Sequence, residues 1–226
     1  MIDEGWVALN AGDAATARGA FESALAEVET GSGREGLGQA LYLQRDYSGA
    51  IKQHERAYAA HRKEGQAVAA ARVARILAWI TGNVLGDLAV QNGWLARALR
   101  ILAEVGEDAP EHGWVLIIKS YTEPDAAARE AMFREAITIG RRFADPNIEI
   151  ESLASLAGLY LMTGRDNEGL ALLDESMAAL CAGELTEIAS VDNLFCGMFW
   201  ACELVNDVVR ADQWMRATAE VMASRN

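Results

Sequence analysis

The chain has 226 residues, a formal net charge of −13, and only three prolines, Pro110, Pro124 and Pro146, set among alanine stretches such as Ala69-Ala70-Ala71 and Ala126-Ala127-Ala128. Alanine costs no side-chain entropy in a helix and proline breaks its interior, so the composition favours helix almost throughout. The acidic balance, 33 Asp and Glu against 20 Lys and Arg, argues against direct nucleic-acid binding, which needs clustered cations.

In chain order the residues fall into units. The first carries Gly5, Gly12-Asp13, Ala17, Phe21 and Ala24. The second, Gly36 to Ala57, is the best preserved: Leu37, Gly38, Asp46-Tyr47, Ala50, His54 and Ala57. Small residues at Gly38, Ala50 and Ala57 let two antiparallel helices approach closely, and Asp46 can cap the second helix. Two looser units follow, with turn signals at Gly86-Asp87 and Pro124-Asp125. The fifth shows Leu156, Ala157, Tyr160, Gly164-Arg165, Gly169 and Leu173, and the sixth Asn206-Asp207, Ala211 and Met215. One turn per unit, at residues 13, 46, 87, 125, 165 and 207, gives steps of about 33, 41, 38, 40 and 42 residues. Unit boundaries are marked at Gly31-Ser32-Gly33, Gly106 to Pro110, Asp145-Pro146 and Ala182-Gly183. The expectation is an all-α chain of about six antiparallel helix pairs, residues 1–226 forming a single repeat domain.

The small residue of the first helix, with Ala-x-x-x-aromatic-x-x-Ala in the second, is similar to the tetratricopeptide pattern, His54 taking the aromatic slot. That resemblance implies a right-handed superhelix, a TPR-like α-solenoid whose first helices line a concave groove. The register puts Glu35, Gln39 and Tyr42 of the second unit on that groove, with Gly158 and Met162 of the fifth and Cys196, Trp200 and Glu203 of the sixth. An exchange of Glu35 or Glu203 for lysine would then disturb the groove and leave the packed core intact.

The longer units carry Gly93-Trp94-Leu95-Ala96-Arg97-Ala98, Glu111-His112-Gly113-Trp114 and Gly140-Arg141-Arg142-Phe143-Ala144-Asp145-Pro146. They continue with Glu168-Gly169-Leu170-Ala171-Leu172-Leu173-Asp174-Glu175, Ala201-Cys202-Glu203-Leu204 and Ala211-Asp212-Gln213-Trp214. These strings resemble the helical repeat region of LuxR-family transcriptional regulators, including the large ATP-dependent, MalT-like kind. The resemblance implies a sensing or protein-interaction region that binds a peptide segment or a small effector. It departs from that family in lacking room or a motif for the helix-turn-helix and nucleotide-binding domains. A stand-alone scaffold or adaptor is the alternative, and an enzyme with a pocket between helices a third reading.

No residue pattern calls for a cofactor or metal. Gly31-Ser32-Gly33-Arg34-Glu35-Gly36 matches G-x-G-x-x-G, but a helical pattern precedes it where a dinucleotide site needs a strand. It reads as a glycine-rich connector. His54 and His61 stand two turns apart, too far for a metal pair on one helix, and with His112 they are assigned structural roles. Paired carboxylates such as Asp3-Glu4, Asp174-Glu175 and Glu184-Glu187 read as solvated charge. Cys196 and Cys202 point about 120° apart on one helix, so they cannot bridge, and a reduced cytoplasmic setting is expected. Met1-Ile2-Asp3-Glu4 does not open a secretory signal. The most apolar run, Leu194 to Cys202, is well short of the roughly 20 residues that cross a bilayer.

The six tryptophans fill gaps between helices, or one or two of them line the groove. Leu194 to Cys202 is apolar all round, so its surplus face is covered either by a following repeat, the favoured reading, or by a ligand. The final helix, with Val208, Val209, Trp214, Met215, Val221 and Met222, lacks a polar outer face. The expectation is therefore a fragment of a longer array that self-associates through its C-terminal end face.

Overall fold

The computed structural model describes residues 1–106 and 109–224, and the side chains of these except 188, 189 and 220–224. Among the described residues twelve α-helices follow one another and no strand occurs. They are α1 (Ile2–Asn10), α2 (Ala14–Glu27), α3 (Gly31–Leu43), α4 (Tyr47–Lys63), α5 (Ala67–Trp79), α6 (Leu88–Val105), α7 (Glu111–Ser120), α8 (Ala126–Phe143), α9 (Pro146–Met162), α10 (Asp166–Ala182), α11 (Ile188–Leu204) and α12 (Val208–Ser224). The turns within pairs fall at residues 13, 46, 87, 125, 165 and 207, as the sequence marks them.

Two devices recur in these turns, and three of them, before Asp13, Asp46 and Asp207, use both. A residue in left-handed backbone, Gly12, Arg45, Gly86, Gly164 or Asn206, precedes the residue that opens the second helix. Asp13, Asp46, Asp125 and Asp207 then accept hydrogen bonds from backbone N–H groups in the first turn, at Thr16, Gly49, Ala127 and Ala128, and Arg210. Each satisfies a donor that the helix itself leaves orphaned, worth about 1 kcal/mol. Asp145 caps α9 in the same way, with Pro146 at the first helical position.

The chain divides into two compact units, Met1–Ile118 and Lys119–Asn226. In the first unit, helices adjacent in sequence pack together from α1 to α6. Phe21, Leu37, Ala40 and Leu41 form one core cluster, and Ala70, Ala74, Leu77, Leu95, Leu102 and Val115 belong to a second. The alanines bring backbones close, so few large side chains close the layer. The run Gly31 to Gly36, expected as a connector, is instead the start of α3, capped by Thr30. A Cβ on Gly31 would stand 2.5 Å from the His61 ring, and one on Gly36 would stand 2.2 Å from Phe21. The glycines are contact points between helices.

α5 runs on into a π-helical turn, Ile80–Val84, which the sequence reading did not foresee. Thr81 Oγ1 donates to the Leu77 carbonyl at 2.7 Å, and Gly82 admits the Gln91 side chain, the kind of insertion that widens a helix locally. Ala67–Val84 is long and apolar enough to cross a membrane, and it exceeds Leu194 to Cys202 in that respect. In the fold it is a core helix, and Arg72 and Arg75 on it are ion-paired.

In the second unit α9 is apolar around most of its circumference because α8, α10 and α11 all pack on it. Leu156 and Tyr160 join Phe133 of α8, while Ala157 and Leu161 join Leu173, Met177, Leu194 and Met198 of α10 and α11. Burial of each such leucine or phenylalanine side chain contributes about 1.5–3 kcal/mol. α12 adds Ala211 and Trp214 to this core and leaves Val208, Val209 and Met215 exposed. Val221 and Met222 lie outside the described side chains.

Candidate functional site

In the first unit, the groove candidates of α3 meet protein. Glu35 is 4% exposed. Its Oε1 accepts from Arg72 Nε at 2.6 Å, and its Oε2 accepts from Arg72 Nη2 and His61 Nε2, both at 3.0 Å. His61 Nδ1 donates to Gln66 Oε1 at 2.7 Å, so both ring nitrogens face acceptors. Burial pushes the Glu35 carboxyl up, but the hydrogen bonds from His61 and Arg72 outweigh it and hold it at about 2. The bond to Glu35 raises His61 in turn. The expectation that a lysine at Glu35 would spare the core is therefore corrected: it would set a third cation against Arg72 and His61 in a buried place. Tyr42 is half-buried, its hydroxyl accepting from Trp79 Nε1 at 3.2 Å. Gln39 is half-buried beside them on α3.

His54 has the opposite environment to His61. It is fully buried, neither ring nitrogen has a hydrogen-bond partner, and the ring fills the space over Gly38. Burial lowers it to about 4, so it is a neutral core group. Among the described residues no three His, Cys, Asp or Glu side chains are gathered as metal ligands would be. The cysteines are free.

The second unit holds an open cleft of about 310 Å³ between α9 and α11, closed at one end by α8 and the residue after α7. Gly158 and Met162 of α9 line it with Trp200 of α11, so three of the sequence candidates come together there. Cys196 and Glu203, also on α11, are exposed and outside the lining. Trp200 is the only exposed tryptophan, at 43%. Its ring edge lies where a Cβ on Gly158 would be, 2.9 Å away. Thus Leu194, Met198, Ala201 and Cys202 of the apolar run are buried, while Phe199 and Trp200 carry the surplus apolar face.

The remaining lining came from no sequence candidate: Ala154 and Leu159 of α9, Leu194 and Gly197 of α11, and a polar end formed by Tyr121, Arg129, Glu151, Ser155 and Asn193. Helical spacing carries part of it. Positions 151, 154, 155, 158 and 162 share a face of α9, and 193, 197 and 200 share a face of α11. Extending the register back from Gly158 and Trp200 reaches them. Tyr121 and Arg129 belong to other elements, and no periodicity links them to this face.

The polar end is ordered. Glu151, 6% exposed, accepts from Ser190 Oγ at 2.9 Å and from Asn193 Nδ2 at 3.1 Å. The Tyr121 hydroxyl pairs with Ser155 Oγ at 3.3 Å. Tyr121 is partly open to solvent. Desolvation by its surroundings, and then the charge of Glu151, push its ionisation up to about 12, so it remains neutral. The cleft thus offers an aromatic and aliphatic wall and a few fixed polar groups, the usual make-up of a binding site. No family model matches this chain, and no curated protein matches it either.

Proposed function

We propose that the chain is a helical-repeat binding module which holds a peptide segment or a small effector in the α9–α11 cleft. The observation that carries this is Trp200, exposed on the wall of a cleft, with its ring edge over Gly158 and open space over Gly197. An aromatic left half-bare beside ordered polar groups favours a ligand over simple packing. The finer architecture belongs to the same proposal: a right-handed tetratricopeptide-type superhelix, supported by the recurring turn devices and by the packing of successive helices from α1 to α6 and from α8 to α12. The resemblance of the repeat strings supports a place as the sensing or interaction region of a LuxR-type regulator. The exposed Val208, Val209 and Met215 support self-association through α12.

The test is a nuclear magnetic resonance screen of the full chain against a mixed library of short peptides and small metabolite-like compounds of either charge. The Trp200 indole signal, assigned through Trp200→Phe, is the reporter. Gly197→Met should fill the cleft, since a Cβ there meets nothing within 4 Å, and should abolish the response while the fold persists. A library without a single binder, or binding indifferent to Gly197→Met, would sink the reading.

A further inference from the structure

Arg129 on α8 lines the cleft, and its Nε is shielded from solvent without a hydrogen-bond acceptor. Other arginines of the second unit are ion-paired. Arg134 and Arg165 share Glu130, Arg141 holds Glu149, and Arg210 holds Asp174 and Asp207. Among the described residues Arg129 is in no such pair. A shielded guanidinium nitrogen without an acceptor is costly, because its lost hydration is not replaced. The carboxylate nearest in kind, Glu151, already accepts from Ser190 and Asn193. The shielded Nε is out of a ligand's reach, but Arg129 lines the cleft with no carboxylate partner among the described residues, and a negatively charged acceptor that meets the open end of its guanidinium would bind most strongly.

We infer that the α9–α11 cleft is built for a small monocarboxylate with an aromatic or branched apolar body. Its carboxylate pairs with Arg129, while its body lies against Trp200 and Met162. The inference rests on the binding-module reading and adds the ligand's chemistry. Size supports it: about 310 Å³ sits at the lower end of the range for small-molecule pockets, roughly 300–1,000 Å³. A single ring or branched chain with one charged group fills such a space. Charge supports it too, because the one cation of the lining is the group that lacks a partner, whereas its anion is held by α11. A basic ligand would leave Arg129 unpaired and add a like charge beside it.

The test compares three probes of one shape on the full chain: 3-phenylpropionate, 3-phenylpropan-1-ol and phenethylamine, each titrated by calorimetry and by the Trp200 indole signal. The acid should bind saturably and at least about tenfold tighter than the alcohol, the advantage expected of a charge-assisted hydrogen bond. The amine should bind weakest. Arg129→Gln should bring the acid down to the level of the alcohol and leave the alcohol unchanged. Arg129→Lys, which keeps the charge without the two-pronged guanidinium end, should fall between them and guards against a folding defect in the first variant. An acid no tighter than the alcohol, an amine that binds best, or acid binding indifferent to both substitutions would overturn the inference. If library compounds of other chemistry still bind through the cleft, the module reading survives that failure. If nothing binds, both fall.

Discussion

The two units use glycines and buried charges to opposite ends. In the first, four glycine gaps in α1 and α3 are filled by buried rings: Gly5 and Gly36 by Phe21, Gly38 by His54, Gly31 by His61. The charges beside them are paired, Glu35 with Arg72 and His61, and Glu111 with Arg75, which also lies over the Trp114 ring. In the second, Gly158 meets only the edge of a half-exposed tryptophan, Gly197 meets nothing, and Arg129 lacks an acceptor. A pair of packed helices can therefore close completely or leave room, depending on whether the group that takes the glycine's place is itself buried, as Phe21, His54 and His61 are, or half-bare, as Trp200 is. On the proposed reading the first unit is scaffold and the second holds the site.

The largest effect that could break this contrast is at Glu35. Its removal leaves His61 and Arg72 without their shared acceptor, and one-sided loss of a buried ion pair costs about 3–5 kcal/mol. Arg72 reaches water, so Glu35→Ala should fall near 3 kcal/mol. Denaturant melts of wild type and variant measure it. A loss below about 1 kcal/mol would show the network to be a surface feature.

Acid should separate the units next. His54 has its folded value lowered to about 4 against about 6.5 for a free histidine. Its contribution is present above pH 6.5 and is lost as pH falls toward 4, because only the unfolded state takes up the proton. The total is on the order of 3 kcal/mol. His61, raised by Glu35, works the other way: its contribution is complete below its unfolded value and is lost as pH rises through the folded one. All three histidines lie in the first unit. Amide exchange between pH 6.5 and 4 should therefore quicken in α3 and α4 before α9 and α10, and His54→Leu should blunt that response. Simultaneous quickening in both units would break the assignment.

The glycines give a smaller pair of effects with opposite signs. Gly36→Ala drives a methyl into Phe21, whose ring is also held by Gly5 and cannot retreat, at a cost of about 1–3 kcal/mol. Gly197→Ala enters open space on a helix and should gain about 0.5–1 kcal/mol. Thermal midpoints should move down for the first and up for the second. A rise for both would mean that Phe21 has room the structure does not show.

Much of this was legible in the sequence because helix ends obey local rules. Gly12-Asp13 and Asn206-Asp207 encode a left-handed residue and a cap within two positions, and Gly86 the left-handed residue alone, so these turns could be placed to the residue. The glycines of α3 misled, since glycine punctuates loops and also lets helices touch, and only the position of Phe21 and His61 in space separates the two uses. Gly158, Met162 and Trp200 reached the cleft because they follow one helix face. Arg129 could not be found that way. Its role depends on which carboxylates lie within reach across three elements, and sequence does not record that.

The smallest effect tests whether the turns of the two units are equivalent. Arg45 and Asn206 hold the left-handed position that Gly12, Gly86 and Gly164 hold elsewhere, with φ of 63° and 56°. For an ordinary side chain that conformation costs about 1–2 kcal/mol, because Cβ crowds the following carbonyl, whereas asparagine adopts it more readily. Glycine removes the crowding but gives up roughly 0.5–1 kcal/mol to the freer unfolded chain. The balance for Arg45→Gly is a gain of about 0.5–1 kcal/mol, and for Asn206→Gly close to zero. Both side chains are exposed, so little else changes with the substitution. The urea midpoint should rise for the first at an unchanged slope and stay put for the second. Equal gains at both turns would mean that asparagine is as strained as arginine there, and a loss at Arg45 would mean that its side chain holds a contact which sets that turn apart from the others.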